Sequence, residues 1–190
     1  SKLIQVIHPR LCRGFFYFAL CVFTLCCQRE NLYWTKAGTG LMGASIKGPW
    51  DQAAIEHYLE QSRYPLRLAC VGGDGFPRVV SVWYRYTEGE LHCVSHRSSQ
   101  LVGLLQGSGK VGFEVAPNEP PYCGVRGQGL AQLQESGQEE VLPLLLARYL
   151  GDTDSSLAQW LLARVADEVL IRIQPVRLFS WDYRQRMGEG

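Results

Sequence analysis

The sequence predicts a mainly β protein, a closed or nearly closed antiparallel barrel of six strands with a few peripheral helices. Short runs rich in valine and aromatic residues are separated by glycine-bearing turns, as in β-hairpins. The run Glu168–Trp181 alternates, with Val169, Ile171 and Ile173 on one face. Helical spacing is confined to short segments outside these runs. Six strands with few helices favour a barrel over a layered α/β fold.

The elements follow from local signals in chain order. A first helix is expected after Trp50-Asp51, and Pro65 ends it. A short helix around Leu101–Leu105 follows the third strand. A later helix opens at the capping-box spacing of Ser136 and Glu139, with Pro143 as a kink or a later start. A last helix is expected over Ser156–Ala166. The expected strands are Leu66–Val71, Arg78–Tyr86, Glu90–Ser95, Lys110–Ala116, Gly124–Gln134 and Glu168–Trp181.

Glycines recur within the expected strand Gly124–Gln134, which reads GVRGQGLAQLQ. They do not form a dinucleotide-binding fingerprint, because the GxGxxG pattern is absent and no helix follows. Glycine inside a strand marks a bulge or a barrel bend instead.

Length and charge limit the function classes. A chain of 190 residues with 46% hydrophobic and 19% charged residues is typical of one globular domain. Residues 1–41 hold five basic residues and one acidic residue, a charge of +4, so the total of +1 leaves −3 for the remainder. A mildly acidic body has no field to attract nucleic acid, so we exclude a binder of phosphate backbones.

The composition changes at Met42, which divides residues 1–41 from an expected barrel domain over residues 42–190. The segment Gly14–Cys27 is apolar apart from one threonine, but it is shorter than the roughly 20 residues of a membrane span. Its basic flank resembles the start of a signal peptide, although no small-x-small cleavage site follows. Three interpretations stay open: a membrane-proximal leader, an additional buried element, or sequence that is not natural coding sequence. For the barrel domain we expect no membrane partner.

The cysteines of the barrel domain indicate the redox compartment. Cys70, Cys93 and Cys123 lie in or beside expected strands and behave as small buried hydrophobes, and no pair has CxxC spacing. This pattern favours a reducing cytoplasm.

A polar cluster, Ser95-His96-Arg97-Ser98-Ser99, joins the third strand to the short helix. Hydroxyls and free backbone N–H groups at such a corner can bind an anion, and the alternative is a solvated loop with a helix cap. His92 and His96 flank Cys93, but a metal site needs three or four converging ligands, so none is expected. Trp83, Tyr84 and Tyr86 could stack on a planar ligand or alternate across a core strand. No catalytic residue is assigned.

Several motifs together resemble a known family. GFPRVVSVWY, LHCVSHRSSQLVGLL, KVGFEV and VRGQGLAQL occur in this order, and Ile173–Asp182 has the form I-x-P-x-x-x-x-x-W-D. This succession resembles the pyridoxamine 5′-phosphate oxidase-like family of FMN-binding split barrels and covers about Trp50–Asp182. Residues 1–41 lie outside it.

The resemblance implies a flavin-dependent oxidoreductase acting on a small molecule, and a homodimer with FMN in two interface clefts. Trp83 and Trp181 are expected as cleft walls. The resemblance places the flavin ring against the backbone of Val80, Ser81, Val82 and Trp83, and the phosphate at Ser95, His96 and Ser99.

One position departs from the family pattern. Leu101 stands where the family has a lysine, so Arg97 or Arg78 is expected to neutralise the phosphate, and Leu101→Lys is expected to tighten FMN. Two alternatives stay open: a deazaflavin-dependent reductase, and a non-catalytic module that binds flavin or haem.

Overall fold

The strands pair into one curled sheet that closes almost completely on itself. The computed structural model describes residue 41 and residues 43–188. Pairing runs in the order β3-β2-β6-β7-β8-β5-β4, all antiparallel, and β1 pairs with β8 in parallel. The strands are β1 Ser45–Lys47, β2 Leu66–Val71, β3 Pro77–Val82, β4 Tyr84–Thr87, β5 Glu90–His96, β6 Lys110–Val115, β7 Cys123–Gln134 and β8 Glu168–Asp182. The helices are α1 Gln52–Gln61, α2 Gln100–Gly107, α3 Gln138–Leu150 and α4 Ser156–Ala163.

The barrel closes through the expected strand Arg78–Tyr86, which the structure divides at Trp83. Its first half, β3, pairs with β2 at one end of the sheet, and its second half, β4, pairs with β5 at the other end. One continuous segment therefore belongs to both ends, and the sheet must curl to bring them together. The predicted antiparallel barrel is confirmed. The described residues form eight strands and not the expected six, because this strand is divided and β1 is added.

The turn between β4 and β5 shows why the hairpin signals were reliable. Thr87 pairs with Glu90, so the loop is only Glu88-Gly89, and both residues have positive φ angles, 51° and 82°. A two-residue loop with two positive φ angles matches the right-handed twist of the strands. Gly89 adopts this conformation without a steric penalty.

The core fills the interior of the curled sheet with side chains at alternate strand positions. On β8, Ile171 and Ile173 are fully buried while Arg172 is half-buried, as the alternation predicts. On β7, the pairing register with β8 shifts between Gln128 and Gly129, which confirms the predicted bulge. A Cβ atom at Gly129 would lie 2.8 Å from the Gln174 carbonyl oxygen, so the bulge needs glycine there.

The helix α3 begins one residue later than its capping-box spacing predicts. Its N-cap is Gly137, with φ +94°, and not Ser136. The Gly137 N–H donates to Glu139 Oε2 at 3.2 Å, so the glutamate still satisfies a donor at this end. Pro143 lies inside the helix and does not mark a later start.

Burial separates the three cysteines of the barrel domain. Cys70 and Cys93 are buried in the core, and burial raises the pKa of both thiols. Cys123 is only half-buried. The prediction of buried hydrophobes holds fully for the first two.

The interpretations of Gly14–Cys27 fall outside the described residues and stay predictions. In the described part of the chain, no helix is both long enough and apolar enough to cross a membrane.

Leu41 makes the boundary of the barrel domain testable. Its side chain is 3% exposed in the core, and its N–H donates to Glu56 Oε1 at 3.1 Å. A chain that begins at Gly40 keeps this residue, whereas one that begins at Met42 loses it. We expect both chains to melt cooperatively, the second being about 1.5–3 kcal/mol less stable because one leucine side chain is no longer buried. Chemical denaturation of both measures the difference, and aggregation of both would show that the barrel needs residues 1–39.

Candidate functional site

Two serine hydroxyls meet at the corner where β5 leads into α2. Ser99 is the N-cap of α2, and its Oγ accepts from the Val102 N–H at 3.2 Å. Ser95, near the end of β5, places its Oγ 2.9 Å from Ser99 Oγ. Because the first N–H groups of a helix have no partner within it, hydroxyls and amide donors occur together at this point. The arrangement has the donor chemistry that a phosphate requires.

His96 belongs to the same corner and is oriented by Ser98. Its Nδ1 lies 2.7 Å from Ser98 Oγ and accepts from the Ser98 N–H at 3.2 Å. The corner therefore combines an imidazole with three hydroxyls.

Arg97 lies in the corner, but its guanidinium is engaged elsewhere. Its Nη2 donates to the Ala166 carbonyl oxygen at 2.7 Å, and its Nη1 lies 3.4 Å from Glu135 Oε2. The side chain is still 47% exposed. An incoming phosphate would therefore compete with one weakly held carboxylate for this arginine.

Arg78, the other candidate cation, is held by Asp74 at the β2–β3 hairpin. Its Nη1 and Nη2 donate to the two carboxylate oxygens at 3.1 and 2.8 Å. These hydrogen bonds hold the pKa of Asp74 below its usual value. Among the described residues, no hydrogen bond joins Arg78 or Arg97 to Ser95 or Ser99.

Leu101 lies inside the barrel core. Its side chain is 5% exposed and belongs to the main hydrophobic cluster. It is the second residue of α2, on the helix face that covers the interior. A lysine at this position would therefore have to fit its side chain and its charge into the hydrophobic core. This opposes the expectation that it would neutralise the phosphate.

The residues expected against the flavin ring divide between three environments. Val80 and Val82 are half-buried against the core, and Ser81 is exposed on the outer face. The Trp83 indole stacks on Tyr149 of α3, with ring centroids 5.2 Å apart and planes 7° apart. One face of Trp83 is thus covered within its own chain, which leaves less of it for a dimer cleft or a stacked ligand.

His92, on the same strand as Ser95, contacts a half-buried ion pair. His92 Nε2 lies 3.3 Å from Glu90 Oε2, which also accepts from Arg172 Nε at 2.7 Å. Burial raises the pKa of Glu90, but the hydrogen bonds from His92 and Arg172 outweigh it and leave the pKa below its usual value. Within residue 41 and residues 43–188, no three His, Cys, Asp or Glu side chains converge as metal ligands.

Sequence reasoning gave no role to Arg67, Arg126 and Arg177, which line one groove on the outer face of the sheet. Each occupies an outward strand position, so the alternation of buried and exposed residues was the available signal. The strand order decides which arginines become neighbours. The local sequence pattern does not contain the strand order.

Known structures resemble this chain. The conserved hypothetical protein Rv2991 from Mycobacterium tuberculosis superposes with a TM-score of 0.63 at 23% identity, over 81% of this chain and 92% of that one. An F420 reductase gives a TM-score of 0.54 at 22% identity, over 64% and 94%. The fold is a split β-barrel.

Proteins related to pyridoxamine 5′-phosphate oxidase are also among these structural neighbours. A candidate enzyme of this name from Listeria innocua gives a TM-score of 0.50 at 19% identity, over 64% of this chain and 90% of that one. No protein-family model matches the sequence, and no curated protein matches it. At such identities the likeness establishes the fold alone.

Proposed function

We propose that the chain is an FMN-dependent oxidoreductase of the pyridoxamine 5′-phosphate oxidase-like group that acts on a small molecule. The observation that carries the proposal is the pair of hydroxyls of Ser95 and Ser99, 2.9 Å apart at the N-terminus of α2. Serine hydroxyls and helix N-terminal amides are suited to phosphate oxygens. The residues present therefore fit the phosphate of FMN, provided that a cation completes the site.

The proposal gives each part of the chain a separate task. Ser95 and Ser99 donate to the phosphate, with His96 beside them. Arg97 supplies positive charge by exchanging Glu135 for a phosphate oxygen. The backbone of Val80–Trp83 lies along the flavin ring, and Arg78 is the alternative cation. Bound FMN supplies hydride or electron transfer, while the protein supplies position and electrostatics.

Two other functions have specific support. A deazaflavin-dependent reductase is favoured by the structural neighbour that is an F420 reductase. A non-catalytic module that binds flavin or haem is favoured by Leu101 in the core and by the engaged guanidinium groups of Arg78 and Arg97. An absorbance spectrum of the purified protein, with mass spectrometry of the released ligand, distinguishes the three.

The serine corner makes a direct prediction for cofactor affinity. We expect the fluorescence of FMN to be quenched when FMN is titrated into the apoprotein, with a Kd in the micromolar range or tighter. Ser95→Ala should lower the affinity for FMN about tenfold, because a hydrogen bond to a charged group is lost. It should leave the affinity for riboflavin unchanged. Fluorescence titration of both ligands measures the effect.

A matched helix cap controls for stability in this experiment. Ser99→Ala removes the cap of α2, and Ser155→Ala removes the equivalent cap of α4, whose Oγ accepts from the Ala158 N–H at 3.3 Å. Both should lose about 1 kcal/mol of stability. Only Ser99→Ala should weaken FMN. Absence of quenching by FMN in the unmodified protein would end the proposal.

We also propose that the protein is cytoplasmic and forms a homodimer. The homodimer is supported by exposed apolar side chains on the β2–β3 hairpin. Phe76 is 71% exposed, Val79 65% and Val71 54%. Exposed apolar side chains grouped in this way favour a protein–protein interface over an isolated subunit. We expect a two-fold interface that buries more than roughly 2,000 Å².

Light scattering at micromolar concentration tests the dimer. Phe76→Asp should give a monomer mass, because a carboxylate would be desolvated in the interface. Trp160→Asp, at a residue 56% exposed on α4, is the matched control and should stay dimeric. A monomer mass for the unmodified chain contradicts the proposal.

A further inference from the structure

Trp83 and Tyr84 lie at the point where one strand of the barrel divides into two. β3 ends at Val82, which pairs with Leu66 on β2, and β4 begins at Tyr84, which pairs with Cys93 on β5. β4 is also the last strand in the pairing order, so within the part of the chain that the structure describes its free edge has no strand partner. The backbone N–H and C=O groups on that edge therefore need partners of another kind.

The hydroxyl of Tyr149 on α3 supplies these partners. Tyr149 Oη accepts from the Tyr84 N–H at 3.3 Å and lies 3.3 Å from the Tyr84 carbonyl oxygen, to which it can donate. The Tyr64 carbonyl oxygen, at 3.4 Å, is its second acceptor. A neighbouring antiparallel strand offers one residue the same pair of groups, an acceptor for its N–H and a donor for its C=O. One side chain therefore takes the place of a strand partner at Tyr84.

The ring of Tyr149 holds the preceding residue, Trp83. The phenol ring and the indole are stacked, with centroids 5.2 Å apart and planes 7° apart. Such a pair is stabilised beyond the apolar area that it buries. Trp83 also packs against the two small apolar clusters that include Leu145 and Leu146 of α3. The ring and the hydroxyl of one tyrosine thus fix two consecutive residues at the division of the strand.

Arg148, the residue before Tyr149, ties α3 to the C-terminal end of α1. Its guanidinium donates to the carbonyl oxygens of Glu60 at 2.7 Å and Leu59 at 3.3 Å, and also to that of Ser62. Carbonyl groups in the last turn of a helix have no partner within it, so a cationic donor is favourable there. Tyr149 is therefore held by two helices as well as by the strand that it contacts.

We propose that Tyr149 is a positioning residue of the cofactor site. Its hydroxyl and its ring hold Trp83 and Tyr84, and through them they keep the backbone of Val80–Trp83 in the shape that the flavin ring requires. The inference rests on the proposed flavin site, because this segment is the one assigned to the ring. Without Tyr149 the segment must be ordered when the ligand binds, and that ordering lowers the affinity.

The flavin ring gives this inference a signature that differs from that of the phosphate. FMN and riboflavin share the ring, and only FMN carries the phosphate. Variants of Ser95 and Arg97 should therefore affect FMN alone. Variants of Tyr149 should lower the affinity for both ligands by the same factor.

Fluorescence titration of FMN and riboflavin into variants of the full chain measures this effect. Tyr149→Leu removes both the stack and the hydroxyl, and we expect it to lower both affinities at least about tenfold. Tyr149→Phe keeps the stack and should recover most of this loss. It should still speed the NMR-detected hydrogen exchange of the Tyr84 amide about fivefold, the factor that corresponds to one net hydrogen bond.

Tyr58→Phe is the matched control, because the Tyr58 hydroxyl also donates to a backbone carbonyl, that of Val115 at 3.4 Å. It should change neither the two affinities nor the exchange of the Tyr84 amide. If the unmodified chain binds FMN, equal affinities in Tyr149→Leu, or a loss of FMN alone, overturn the inference and leave the proposed function in place. If Tyr149→Leu does not fold, unchanged exchange of the Tyr84 amide in Tyr149→Phe overturns it. Absence of flavin binding by the unmodified chain removes the proposed function, and this inference with it.

Discussion

Leu101→Lys is expected to destabilise the barrel by about 3–5 kcal/mol and not to tighten FMN. The leucine side chain is 5% exposed within the main core cluster. The substitution removes its apolar contacts and places an ammonium group in a low-dielectric interior, which costs several kcal/mol even after the pKa of the lysine falls. Denaturant unfolding, followed by tryptophan fluorescence, measures the loss.

A second lysine on the same helix separates this burial effect from the added charge. Gln106 is exposed near the C-terminal end of α2, where a cation is favourable. We expect Gln106→Lys to be neutral or slightly stabilising. If Leu101→Lys instead keeps full stability and binds FMN more tightly than riboflavin, the lysine reaches the corner and the family arrangement is restored.

Arg97→Ala is expected to lower the affinity for FMN ten- to a hundredfold. The affinity for riboflavin, which lacks the phosphate, should stay nearly unchanged. A charge-assisted hydrogen bond contributes about 1.5–3 kcal/mol, which corresponds to this range. Arg97 follows His96 directly and is 47% exposed, so its guanidinium can turn toward the serines. Titration of the variant with both ligands gives the ratio that reports on the phosphate alone.

Two further variants, Glu135→Gln and Arg78→Ala, test whether Arg97 is the cation that neutralises the phosphate. Glu135→Gln frees the Nη1 of Arg97 from a carboxylate at 3.4 Å and should tighten FMN by a fewfold factor. Arg78→Ala should have little effect if Asp74 keeps that guanidinium at the hairpin. A large FMN-specific loss in Arg78→Ala, with none in Arg97→Ala, would transfer the role to Arg78. Equal losses of FMN and riboflavin in both variants would mean that the phosphate lies elsewhere.

Local chemistry was sufficient for most of the strand framework. The period of two in β8 identified its buried face, because successive side chains of a strand point to opposite sides. Glu88-Gly89 identified the β4–β5 hairpin, because a two-residue loop needs positive φ angles. The serine-rich corner was also readable, since a serine before a short apolar helix is a common N-cap.

The sequence by itself thus determined an antiparallel barrel, its main turns and a polar corner with Ser95 and Ser99. Only the tertiary structure decided that Trp83 divides a strand, that Leu101 faces the core and that Arg97 is held by Ala166 and Glu135. Only strand order brought Arg67, Arg126 and Arg177 to one groove. Period and turn type depend on a few consecutive residues, whereas barrel closure and side-chain partners depend on contacts between distant segments. Those contacts are selected by packing the whole core at once, so no local window contains them.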